Sequence, residues 1–195
     1  MSTRDHLLLA LLAPGSVEAA VGAIQEEIFR ERGLVSAIAL SPIVPLAFIQ
    51  GESVDALPRG FLDSLDRAVR APYRIRTTSA LWREGALFLG LETGGVWESL
   101  RKACRARGSV PACAAPGREL FPAAEGFFFG CGEAREPDRR AIARGVTGRV
   151  DAAPIAFTSS TLAVVRITTP ARGSRWWRDV SCGIESERPL RGKRA

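Results

Sequence analysis

Imidazole is nearly absent from this sequence: His6 is the single histidine among 195 residues, so chemistry that needs two imidazoles on one chain is excluded. Lysine is almost as scarce. Only Lys102 and Lys193 of the 27 basic residues are lysines, and the rest are arginines, whose planar forks suit carboxylates and phosphates. A GC-rich coding bias yields the same excess. Cys104, Cys113, Cys131 and Cys182 form no CxxC pair and have no histidine at ligand spacing, which argues against zinc and points to reduced, mostly buried thiols without a cofactor. Long apolar runs are missing too. Leu7 to Ala13 stops at Pro14-Gly15, too short for a membrane span and poor as a signal peptide, so a cytoplasmic protein with no membrane partner is expected.

What is present is ample for a core. A chain of 195 residues makes one domain or two small lobes around a shared core, and its 46% apolar content can fill it. The net charge of +6 permits nucleic acid or a phosphorylated ligand without demanding either.

Leu7 to Leu12 reads as a strand buried on both faces. A helix follows, with Ser16 as N-cap, an apolar stripe of Val17, Ala20, Val21, Ile24 and Ile28, and Gly33 closing it. Val35 to Leu40 and Val44 to Ile49 are the next expected strands. A second helix is expected from Pro58 to Pro72 with Phe61, Leu62, Leu65, Ala68 and Val69 inward. Tyr73 to Trp82 and Ala86 to Leu91 read as a hairpin through Glu84-Gly85, and Gly94-Gly95 opens a third helix carrying Val96, Leu100, Ala103 and Cys104. Gly108 to Gly117 is loop-like. Beyond it lie a Phe127-Phe128-Phe129 strand, an Arg-rich stretch from Arg135 to Arg149, strands over Ile155 to Ile167 and Trp176 to Ile184, and a frayed end from Arg188. Hairpin-length connections imply antiparallel pairing, hence an α+β class. No repeat of solenoid length is apparent.

The segments "RDHLLLALLAPGSVEAAVGAI", "LSPIVPLAFIQGE" and "WREGALFLGLETGGVWESLRKACRARG", followed by "LFPAAEGFFFGCGE" and "IAFTSSTLAVVRITTPARGSRWWRDV", fall in a telling order. Their order and spacing over residues 4 to 182 resemble the 2H phosphoesterase superfamily, particularly its 2'-5' RNA ligase and cyclic phosphodiesterase branch. The resemblance implies a two-lobed fold over residues 1–187, with mostly antiparallel sheets around a central cleft, helices outside, and a basic tail at 188–195. In that family two His-x-Thr motifs face each other across the cleft. Aligned on them, this sequence has Ile43 and Pro45 at the first motif and Ala124 and Gly126 at the second. None of the four can shuttle a proton, and general acid–base help is worth about 10²- to 10⁴-fold for each group. The resemblance therefore implies a non-catalytic member that keeps a ligand-binding or scaffold role.

Rival readings rest on other residues. An active phosphodiesterase acting on 2',3'-cyclic phosphate or RNA ends would need Glu125 as replacement base, Cys131 as nucleophile, or arginines in the cleft. The bland readings are a solvent-facing glutamate and a buried structural thiol. An RNA-binding module would use the basic end, where eight basic residues stand against three acidic ones between Arg166 and Ala195. Arg166, Arg175, Trp176, Trp177 and Arg178 are its candidates, through phosphate contact and base stacking. His6 reads as an ordinary strand-start residue near Asp5, and Ser159, Ser160 and Thr161 as a hydroxyl-rich turn.

Overall fold

The computed structural model describes residues 3–49, 57, 59–69, 74–83, 85–105, 126–158, 160–170 and 180–190. The leucine-rich run forms β1 (Thr3–Leu12), flanked by strands on both sides and buried on both faces. Leu7, Leu9 and Leu11 enter one core cluster, while Leu8 and Ala10 enter another. Helix α1 (Gly15–Arg32) starts directly after Pro14, so Ser16 lies within the first turn and is not its cap. Gly33 ends the helix as expected: at φ 66° its N–H reaches the Phe29 carbonyl at 2.7 Å, a left-handed stop that glycine takes without steric cost.

The expected strand at Val35 to Leu40 is instead a 3-10 turn over Val35–Ile38. Its Ser36 N–H is taken by the Glu133 carboxylate, a partner 97 residues away that replaces a ladder bond. The chain then runs through β2 (Ile43–Ile49), α2 (Phe61–Asp66), β3 (Ile75–Arg83), β4 (Ala86–Glu92) and α3 (Val96–Arg105). Helix α2 is shorter than expected and begins at Phe61; Pro58 and Pro72 lie outside the described residues. β3 and β4 form the anticipated hairpin, with Arg83 opposite Ala86 and Gly85 at φ 82°.

The second part comprises β5 (Gly126–Gly130), α4 (Glu136–Ala152), β6 (Ala156–Phe157), β7 (Ser160–Pro170) and β8 (Ser181–Leu190). The Arg-rich stretch is thus helical, held by a narrow buried stripe of Ile142, Val146 and Val150. The single strand expected over Ile155 to Ile167 is two strands in two different sheets. The last strand lies farther along than expected and includes residues 188–190, which local composition marks as a frayed end: Leu190 pairs with Ser160 and is buried. The loop at 108–117 falls outside the described residues.

Two four-stranded antiparallel sheets result, ordered β2-β1-β7-β8 and β5-β4-β3-β6. The α+β class is as expected. Strand order reveals an internal correspondence that no sequence repeat announces: β1-α1-β2-α2-β3 is matched by β4-α3-β5-α4-β7. Each half places its first two strands in one sheet and lends its last strand to the other. Helix α4 packs on β3 and β4, α1 lies beside α4, α2 meets β7 and β8, and α3 meets β2, so the helices cover the outer faces. β2 and β5, each at an edge of its own sheet, adjoin one another.

Candidate functional site

The inner faces of the sheets are the place to look for a cleft, and β2 and β5 adjoin there from the two sheets. On β2, Ile43 stands opposite Leu12 and Pro45 opposite Ala10, after which the register slips by one residue at Leu46. Alternation puts Ile43 and Pro45 on the inner face. On β5, Gly126 stands opposite Gly90 and Phe128 opposite Phe88, and the register slips at Phe129. The two strands thus share one pattern: two inner-facing positions and then a bulge. By that pattern Ile43 corresponds to Gly126, and Pro45 to Phe128.

Among the described residues the inner faces are not lined with polar groups at this level. Leu8, Ala10, Leu40, Ile43, Ala163, Val165 and Ile167 from one side form a single buried cluster with Ala86, Phe88 and Phe128 from the other. Ile43 is 2% exposed and Phe88 0%. Phe88 and Phe128 meet edge to face, with centroids 5.4 Å apart. Leu12, Leu81 and Val180 are half-buried against the same cluster. Glycine at 126 is required by the close approach of β4, since a Cβ there would lie 2.6 Å from the Leu89 carbonyl oxygen. Past Gly90 the same face of β4 turns polar at Glu92, which pairs with Arg76 at 2.7 Å in an exposed setting.

The remaining candidates scatter. Cys131 sits at the end of β5 in the outer core, fully buried, its thiol donating to the Phe129 carbonyl at 3.4 Å. Burial, then the Glu133 charge, pushes its pKa far above that of a free thiol, the opposite of what a nucleophilic thiolate needs. Arg166 lies on the outer face of β7, where its guanidinium donates to Asp5 at 3.1 Å and to Glu185 at 2.5 Å. Those carboxylates hold its pKa above the usual value, the Glu185 hydrogen bond first among the causes. Thr168 Oγ1 donates to the same Asp5 at 2.7 Å and is the leading reason that carboxyl titrates below its usual range. His6 is half-buried on β1, opposite Ile167 and on the inner face by alternation. Ser160 is buried and Thr161 half-buried at the start of β7. Ala124, Glu125, Ser159, Arg175, Trp176, Trp177 and Arg178 lie outside the described residues, and of the other thiols Cys182 is exposed on β8. Among the described residues no group of three His, Cys, Asp or Glu could hold a metal ion.

Comparison with solved structures places this arrangement among known proteins. A crystal structure of TT0787 of Thermus thermophilus matches 97% of this chain and 100% of its own, with a TM-score of 0.58 at 20% identity. E. coli LigT complexed with 3'-AMP matches 96% of this chain and 98% of its own, with a TM-score of 0.47 at 17% identity. The chain shares its overall fold with TT0787 over nearly its whole length. At these identities the likeness is one of fold and assigns no residue a role. No protein-family model matches the sequence, and no curated protein matches it. Within this fold, what the sequence left unseen is Phe128. The signal was the uninterrupted Phe127-Phe128-Phe129, because a strand apolar at consecutive positions must be covered on both faces.

Proposed function

We propose that this chain is a non-catalytic protein of the 2H phosphoesterase fold, a single two-lobed domain whose former reaction cleft serves as an internal joint of a scaffold. The observation that carries the proposal is the apolar cluster of Ile43, Phe88 and Phe128 between the sheets. Cyclic-phosphate hydrolysis needs one group to take a proton and another to give one, both titrating near neutrality. Ile43 and Pro45 offer neither. The shared pairing pattern of β2 and β5 supports reading the second pair at Gly126 and Phe128, two residues beyond the alignment on Ala124 and Gly126. Neither version offers a proton shuttle.

A cleft packed in this way also disfavours a phosphate at its centre, because a buried anion without paired donors loses several kcal/mol of solvation. The interaction role therefore falls to the outside of the molecule, including the basic C-terminal stretch with Arg175, Trp176, Trp177 and Arg178 as RNA contacts. Arg166 has two carboxylates against its guanidinium and is the weakest of that group.

The test is hydrolysis of 2',3'-cyclic nucleotides and of 2'-5'-linked RNA by purified protein at high enzyme concentration. No turnover above buffer is expected. Turnover that survives repurification and disappears in Glu125→Ala or in an Arg76→Ala variant that remains folded would overturn the proposal. A parallel measurement follows binding of single-stranded RNA against salt. An electrostatic interface gives affinity that falls steeply as salt rises, and flat or absent binding removes the RNA arm alone.

A further inference from the structure

The joint between the sheets is pinned by a polar contact that lies outside the apolar cluster. Ser36 is 2% exposed in the 3-10 turn that leads toward β2, and Glu133 lies in the turn that leaves β5. The Ser36 N–H donates to Glu133 Oε1 at 2.9 Å, and its hydroxyl donates to Oε2, so one carboxylate takes both donors of one residue. The backbone is bent to make this possible. Gly130 and Cys131 both adopt left-handed conformations, with φ 67° and 61°, and Cys131 is the only non-glycine residue with positive φ among the described residues. A Cβ on Gly130 would lie 2.6 Å from the Ser36 carbonyl oxygen. The same serine is thus gripped from two directions. Strain of this kind, on the order of 1–3 kcal/mol for a non-glycine residue, persists only where surrounding structure fixes it.

We infer that Ser36, Gly130 and Glu133 form a clasp that fixes the seam between β2 and β5, and with it the closure of the inner faces on one another. β2 and β5 belong to different sheets, and among the described residues no strand ladder joins them, so their relative position depends on side-chain packing and on contacts at their ends. The clasp joins the segment before one to the segment after the other. Gln25 supports the same approach to β2, donating from Nε2 to the Leu40 carbonyl at 3.3 Å. The inference rests on the closed interface and is independent of whether any substrate is turned over.

Hydrogen exchange read by mass spectrometry on the full chain tests it. Glu133→Ala removes both acceptors, and exchange in 43–49 and 126–130 is expected to rise about tenfold or more, as fits loss of hydrogen bonds to a charged group. Exchange in the β7–β8 pair, 160–170 with 181–190, stays at the wild-type rate. Ser36→Ala, which removes only the hydroxyl donor, is milder, keeps the test alive if Glu133→Ala fails to fold, and gives the same pattern at smaller amplitude. Glu133→Gln, which still accepts through its carbonyl oxygen, recovers part of the protection. Ile142→Val serves as a control that loosens α4 without touching the clasp. A rise spread evenly over both sheets, a rise matched by the control, or no rise at 43–49 and 126–130 would each overturn the inference.

Discussion

Strands β2 and β5 occupy corresponding places in the two halves and share a pairing pattern down to the bulge, yet they close the same space by different means. β2 does so with an aliphatic and an imino ring, Ile43 and Pro45. β5 has no side chain at Gly126 because β4 approaches too closely, and it compensates two residues later with Phe128 stacked edge to face on Phe88. A shared strand geometry can therefore be filled with apolar groups by different routes on each side. What the two halves share is strand geometry, which packing of the outer faces maintains.

The sharpest way to break the comparison is Phe128→Ala, which empties the β5 side. A loss of about 3–5 kcal/mol in urea unfolding is expected, the range for large-to-small changes at well-packed sites. Ile43→His restores an imidazole on the β2 side and is expected to destabilise by about 2–3 kcal/mol at pH 8, because the polar ring enters the apolar cluster. That loss grows as pH falls through the histidine range. The buried ring has a lower pKa in the folded protein than in the unfolded chain, so protons favour unfolding. Urea midpoints at pH 8 and pH 5.5 check both sign and size. Gly126→Thr asks whether the β5 side tolerates a side chain at the corresponding position. The expected cost is about 1–3 kcal/mol from overpacking against the Leu89 carbonyl, again read from urea unfolding. The smallest effect belongs to the outer face. Asp5 titrates below its usual value of 3.8, so its contribution is complete above that pH and is lost as pH falls through the lowered value. Asp5→Asn should lower the neutral plateau slightly and leave stability in acid unchanged, which flattens the acid limb; urea midpoints over a pH series check it.

Much of this fold was legible where local pattern and burial agree. β1 is a leucine run needing cover on both faces, α1 ends on a glycine, and the phenylalanine triplet forms a strand. Elsewhere the deciding contact was distant. Val35 to Ile38 carries a strand-like composition, but its backbone donor is taken by Glu133, which no local window includes. Helix α4 was hidden by Gly145 and Gly148, which weaken helix propensity, and by a buried stripe only one residue wide per turn. β8 is an edge strand whose side chains are mostly exposed, so it lacks the apolar alternation that would have marked its bounds. At the candidate site the apolar content of β2 was readable at Ile43 and Pro45. The register of the second strand was not, because it depends on the bulge at Phe129, a property of pairing rather than of composition.

Closure of the inner faces into an apolar joint is tested most directly at Ile43. An Ile43→Cys variant treated with iodoacetamide, with alkylation at residue 43 followed by mass spectrometry, reports whether solvent reaches that position in the folded state. A closed joint predicts labelling no faster than unfolding allows. Labelling at the rate of a free thiol, while the remainder of the chain stays folded, would contradict it.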